Sequence, residues 1–227
     1  RMPSNKIAAA LIRAAGGYIA APSANRSGRP SPTVAKYVIE DLDGRIEMII
    51  DGGFSAIGLE STIIDLSEGE PMILRPGYVT QEKMTQVIGN VDVDRTILDA
   101  SSKEAPKAPG MKYRHYAPKG NLTIVEGPQE KVTVCINEKL SEGHKQGLKT
   151  GVIATDETIE QYQADVKRSL GSRKNEEAIA HHLFEVLRQM DDEEVQLIFT
   201  ESFAETGLGQ ATMNRLLKAA GHQVISL

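Results

Sequence analysis

Apolar residues Ile7, Ala8, Leu11, Ile12 and Ala15 recur at helical spacing behind Ser4, and Gly16-Gly17 ends the run. This pattern predicts a first helix with Ser4 as its cap. Residues 18–21 then read as a short buried strand, from which a polar stretch, residues 20–33, departs. Pro32 falls in the first turn of a second predicted helix over 33–42, which Asp43-Gly44 closes. Residues 46–50 form a β-rich run that stops at Asp51-Gly52-Gly53, and a second polar loop spans 58–62. Two strands, 63–66 and 71–74, are joined by a turn at 67–70 and predict a hairpin, closed by Arg75-Pro76-Gly77. A capped helix over 80–88 follows.

The period then breaks. Residues 94–118 carry three prolines and no sustained periodicity, which marks a linker. Within it, residues 108–118 concentrate two tyrosines, a histidine and two cations between prolines and glycines. An unstructured spacer is usually poor in aromatics, so an ordered strap that touches a ligand is the favoured reading. Beyond it strand and helix alternate: 122–125, a helix over 130–140, 151–154, a helix over 176–190, 195–200, a helix over 210–220, and 223–226. That alternation predicts a small open α/β sheet with helices packed on it. The expected units are therefore 1–93, a linker strap over 94–120, and 121–227.

Composition narrows the picture. With 227 residues, 40% of them hydrophobic and 25% charged, the chain reads as a soluble globular protein with a packed core. No run is long enough to cross a bilayer and no signal peptide opens the chain, so a cytoplasmic protein without a membrane partner is expected. The single cysteine, Cys135, excludes an internal disulfide and reads as a buried structural thiol on a helix. A net charge of −5 argues against a surface that binds nucleic acid throughout, though not against a local basic patch. The chain opens on Arg1 rather than methionine, close to the polar stretch, and so reads as a fragment or processed chain.

The polar stretch carries the first candidate chemistry. Proline fixes φ and Gly28 admits conformations closed to other residues, so the loop is ordered before a ligand arrives. Ser23, Ser27 and Ser31 can donate to phosphate oxygens, Asn25 can donate and accept, and Arg26 and Arg29 can pair with an oxyanion. The alternative is an exposed, turn-rich connection. Arg75, stiffened by Pro76-Gly77, is a further cation with a fixed direction. No P-loop is present, nothing has metal-ligand spacing, and only His115 among the histidines falls near the serine loops. His181 and His182 are adjacent on a helix and read as surface or core residues, and the acidic run 191–194 as a solvated helix end. Gly207-Leu208-Gly209 reads as a helix-capping loop rather than half of a dinucleotide fingerprint. Any reaction would rest on positioning and on stabilising negative charge.

Taken together, Pro-Ser-Ala-Asn at 22–25, Ser-Gly-x-Pro-Ser-Pro-Thr at 27–33, Glu-Ser-Thr at 60–62, Leu-Arg-Pro-Gly at 74–77 and Pro-Gly-Met-Lys-Tyr-x-His-Tyr-Ala-Pro at 109–118 resemble the threonylcarbamoyl-adenylate synthase family. Gly-Leu-Gly-Gln-Ala-Thr-Met-Asn-Arg-Leu at 207–216 resembles the closing helix of its two-domain form. The resemblance implies an α/β fold class: the C-terminal part of a YrdC-type twisted α/β domain, a Pro/Tyr-rich linker and a small Rossmann-like α/β C-terminal domain. It implies a nucleotidyltransferase that converts L-threonine, bicarbonate and ATP, with Mg²⁺ sharing charge, into threonylcarbamoyl-AMP and pyrophosphate for tRNA modification. Partners would be tRNA or tRNA-modification proteins. By the same resemblance Ser23, Asn25, Ser31, Arg75, His115 and Tyr116 would face ATP, Arg1 and Ser61 would face threonine, and the strap would close as a lid. The family's upstream segment, with a Lys-x-Arg pair that holds ATP, is not in this sequence, so weak or no activity of the chain alone is expected. The competing classes are a non-catalytic nucleotide- or RNA-binding module, and a carbamoyl-adenylate enzyme of hydrogenase maturation, which the single cysteine disfavours.

Overall fold

A computed structural model describes residues 3–67, 69–94, 97, 115–204 and 206–227. Helix α1 (Lys6–Ala14) starts at Asn5, whose side chain accepts from the amides of Ile7 and Ala8; the cap is therefore Asn5 rather than Ser4. Helix α2 (Ala35–Leu42) begins after Val34, so Pro32 precedes the helix instead of occupying its first turn. The predicted hairpin forms, with β1 (Ile63–Asp65) antiparallel to β2 (Met72–Arg75) and an irregularity between Ile63 and Ile64. Helix α3 (Gln81–Ile88) is capped by Thr80, and a short β3 (Asp92–Val93), not foreseen, adds parallel to β2.

The two runs expected to be strands near the start are not strands. Residues 18–21 and 46–50 have no sheet partner among the described residues, and Tyr18 is 91% exposed. β-rich composition alone cannot form a strand, since each extended segment needs a neighbour to take its backbone hydrogen bonds.

The later part of the chain is a five-stranded parallel sheet built from β4 (Asn121–Glu126), β5 (Thr150–Ala154), β6 (Val166–Ser169), β7 (Leu197–Glu201) and β8 (Val224–Ser226), in the order β6-β5-β7-β4-β8. Successive residues of β4 face opposite sides, so Ile124 joins one core and Val125 the other. Helix α4 (Gln129–Lys145) covers the Val125 face with Val132, Ile136 and Leu140. Helices α5 (Glu176–Asp192) and α6 (Gly207–Ala219) cover the other with Leu183, Leu187, Met190, Met213 and Leu216. Strand β6 escaped the sequence pattern because Val-Lys-Arg-Ser has a single apolar residue: it is the edge of the sheet, where side chains meet water. Cys135 lies on α4, only partly buried against that core.

Candidate functional site

The polar loop that precedes α2 is held from inside. Asn25 Nδ2 donates to the carbonyls of Arg26 and Arg29 at 3.0 and 3.2 Å. Arg188, on α5, donates through Nε and Nη2 to the Pro30 carbonyl at 2.9 and 2.6 Å, and Nη2 also reaches Asp41 Oδ2 at 2.6 Å. Both side chains of that ion pair are fully buried. Arg29 bridges Asp41 and Glu40 and reaches Asp191 at 3.3 Å. Burial works to raise the Asp41 pKa, but the Arg188 hydrogen bonds, the Arg26 amide and the two guanidinium charges outweigh it and hold the carboxyl below its ordinary range.

These contacts correct two expectations. Arg29 spends both Nη atoms on carboxylates of the chain itself, and its Nε is buried without a hydrogen-bond partner among the described residues, so its guanidinium fork does not wait for a ligand oxyanion. The acidic run is not simply solvated: Asp191 is 4% exposed and accepts the Lys119 amide at 2.6 Å, while Asp192 takes Lys36 and the Tyr37 hydroxyl.

The end of the strap lies on the loop, where the Ala117 amide donates to the Gly28 carbonyl at 2.9 Å. Tyr116 adopts a positive φ of 63° and sets its ring 5.0 Å from Phe184. Burial first, then the nearby Glu60 charge, raises the pKa of its hydroxyl. His115 sits beside it, ring centroids 5.8 Å apart. The remaining strap residues, 108–114, and Arg1 lie outside the described residues.

Glu60 is the side chain on which the cluster turns, and the sequence pattern did not single it out. Its Oε1 accepts from Ser31 Oγ at 2.9 Å and its Oε2 from Arg215 Nε at 2.9 Å. Burial pushes its pKa upward, yet the Arg215 charge and hydrogen bond, with help from Ser31, bring it below the ordinary value of 4.5, so Glu60 is ionised at neutral pH. The neighbouring Ser61 offers its carbonyl to Arg75 Nε and Nη2 at 3.3 and 3.0 Å. Gly77 permits this approach: a Cβ there would lie 2.4 Å from the Thr62 amide and 2.6 Å from the Glu60 carbonyl.

An open cavity of about 860 Å³ adjoins the cluster, lined by Ser23, Ser31, Thr33, Ile50, Phe54 and Glu60 among others. Ser23 and Ser31 are the predicted residues on its wall, beside Glu60; Ser61, Arg75 and Tyr116 do not line it and adjoin Glu60 instead. Asn25 Oδ1 and Thr33 Oγ1 are buried with no hydrogen-bond partner among the described residues. His181 stacks on Phe54 with centroids 4.3 Å apart and its Nδ1 reaches the Ala56 carbonyl, so it holds the 54–58 segment. Gly207 and Gly209 lie in the first turn of α6 rather than in a loop before it, and the Glu176 carboxylate accepts from the amides of Leu208 and Gly209.

A cavity of mixed apolar and hydroxyl lining, next to buried guanidinium-carboxylate pairs and a parallel sheet, places the chain among proteins of mixed α/β class. The family model described as "Threonylcarbamoyl-AMP synthase, C-terminal domain" matches residues 79–221, and one described as "Telomere recombination" matches residues 1–77. The chain belongs to the threonylcarbamoyl-AMP synthase family. It is 47% identical over 225 residues to the threonylcarbamoyl-AMP synthase of Bacillus subtilis, covering 99% of this chain and 63% of that protein. To the Pyrococcus abyssi threonylcarbamoyl-AMP synthase it is 47% identical over 227 residues, 100% of this chain and 65% of the relative. The crystal structure of P. abyssi Sua5 complexed with L-threonine superposes with a TM-score of 0.90 at 47% identity, again over 100% of this chain and 65% of the other. The chain thus spans just under two thirds of the length of these relatives.

Proposed function

We propose that the Glu60 cluster and its cavity form part of the site at which a threonylcarbamoyl-AMP synthase joins L-threonine, bicarbonate and ATP. The observation that carries this reading is convergence: Ser31, Ser61, Arg75 and Tyr116 come from four separate segments and meet around Glu60. In this reading Ser23, Asn25, Ser31, Arg75, His115 and Tyr116 serve ATP, and Arg1 and Ser61 serve threonine. The threonine-bound P. abyssi structure supports the second assignment in kind. A rival RNA-binding reading loses ground because arginines near the loop, Arg29 and Arg188, are committed to internal carboxylates and the Pro30 carbonyl.

The threonine nitrogen attacks bicarbonate carbon, water is lost, and the carbamate oxygen attacks the α-phosphorus of ATP as pyrophosphate leaves. This chain's share of that task is to orient the reactants and to offset negative charge with Arg75. Magnesium would arrive on the triphosphate as part of the substrate. Among the described residues no group of three His, Cys, Asp or Glu side chains is placed to hold a metal. The product would pass to the tRNA-modification proteins or tRNA that use it, in the cytoplasm; no helix among the described residues is long and apolar enough to cross a membrane.

The test is a chimera in which this chain replaces the stretch it matches in the P. abyssi synthase, assayed for pyrophosphate release that depends on threonine and bicarbonate. Turnover that falls at least tenfold with Arg75→Ala is expected, the loss of one charge-assisted contact to phosphate. A folded chimera without turnover overturns the reading.

A further inference from the structure

Ser31 has one proton to give, and it is already given. A serine hydroxyl carries one O–H donor and two acceptor lone pairs. Glu60 is ionised, so in the 2.9 Å contact between them the hydroxyl must be the donor. Glu60 is held in that role by Arg215, whose fully buried side chain donates Nε to Oε2 at 2.9 Å and Nη2 to the Glu60 carbonyl at 3.5 Å. Arg215 is itself fixed by donating Nη1 to Asn214 Oδ1 at 3.0 Å. Ser31 and Glu60 both line the cavity, and Arg215 approaches them from α6.

We infer that Arg215 is a positioning residue for the cavity: through Glu60 it turns the Ser31 proton away from the ligand, so that Ser31 meets the ligand as an acceptor and selects a hydrogen-bond donor. The donor is an N–H or O–H of the nucleoside. A phosphate is excluded at this wall, because it offers only acceptors and would face the Glu60 charge at close range. The general expectation that loop serines donate to phosphate therefore fails at Ser31, and triphosphate oxygens fall to the cation Arg75. This inference rests on the adenylate reading of the pocket and names the part of the nucleotide that Ser31 reads.

Two nucleoside groups supply such a donor, the exocyclic amine of adenine and the ribose hydroxyls, and analogues separate them. Calorimetric titration of the chimera with the P. abyssi upstream stretch is made with ATP, with inosine triphosphate, which replaces the amine by a carbonyl, and with 2′-deoxy-ATP and 3′-deoxy-ATP. One analogue is expected to bind about tenfold more weakly than ATP, the effect of one lost hydrogen bond. Ser31→Ala, Arg215→Met and the nearly isosteric Glu60→Gln should each bring that ratio close to one. A merely structural role for Arg215 would lower all affinities together and leave the ratio in place. Thermal unfolding of each variant checks that it folds, and Glu60→Gln carries the test if Arg215→Met does not fold. ATP binding with no discriminated analogue, or a ratio that survives in the folded variants, overturns the inference and leaves the adenylate reading standing. A folded chimera that binds neither ATP nor any analogue overturns that reading and the inference with it.

Discussion

At the scale of single residues, the decisive groups are charges without water. Asp41 and Arg188 are both fully buried and answer each other at 2.6 Å. Replacing Asp41 by Ala leaves a buried guanidinium uncompensated, which costs about 3–5 kcal/mol. Urea unfolding of Asp41→Ala measures this; a loss under about 1 kcal/mol would mean that the pair behaves like an exposed one. The same groups set the response to acid. Asp41 and Glu60 both have folded-state pKa values depressed below their ordinary 3.8 and 4.5. Their contribution is therefore complete above those ordinary values and is lost as pH falls through the lower folded ones. The urea midpoint should hold from pH 7 to about 5 and drop below 4, where depressed carboxylates protonate. A midpoint that stays flat down to pH 2 would contradict the assignment.

At the scale of elements, α6 depends on a neighbour for its first turn. Thr206 makes no side-chain cap, and the Glu176 carboxylate from α5 satisfies the Leu208 and Gly209 amides at 3.1 and 3.2 Å instead. Glu176→Ala should cost about 1 kcal/mol, the usual worth of a lost cap with its charge at a helix N-terminus. Equilibrium unfolding with unchanged midpoint would show that water replaces it. Gly58 presents a close approach of another kind: its φ is +82° and a Cβ would lie 2.4 Å from the His181 carbonyl. Gly58→Ala must displace the 54–60 segment from α5, and the expected result is a lower melting temperature together with altered nucleotide binding. Elements with their own period were legible in the sequence: α3, the β1-β2 hairpin and the alternation of β4, β5, β7 and β8 with their helices all follow from local pattern and turn chemistry. What escaped needed a partner distant in sequence. Nothing near Glu60 announces Arg215, nothing near Asp41 announces Arg188, and the β-rich run at 46–50 gave no sign that it would lack a strand beside it. Ser31, Ser61, Arg75 and Tyr116 could be singled out as a set, whereas the carboxylate that joins them could not.

At the scale of the molecule, apolar burial is uneven. The two larger cores draw their buried residues from Tyr116 onward, while Ile7, Leu11, Tyr18, Ile19, Met48 and Ile50 are between 45% and 91% exposed. Exposed apolar area of that kind favours association. The chain should bind a hydrophobic dye and self-associate as concentration rises; a dye-silent monomer would contradict this distribution. Native-state hydrogen exchange should show the same gradient, with slow amides in β4, β5 and β7 and fast ones across residues 3–25.

The buried clamp between Asp41 and Arg188 bears on modularity. A detachable module meets its neighbour through surface that tolerates water, so that either half can be cut away, swapped or traded between chains. Here excision of the sheet would strip the guanidinium groups of Arg188 and Arg215 from Asp41 and Glu60. A transplanted sheet would in turn carry those cations into a host that lacks the matching carboxylates. Recombination within this architecture should therefore preserve 41 with 188 and 60 with 215 as heritable pairs. The boundary that reads as a linker in the sequence is, chemically, a weld.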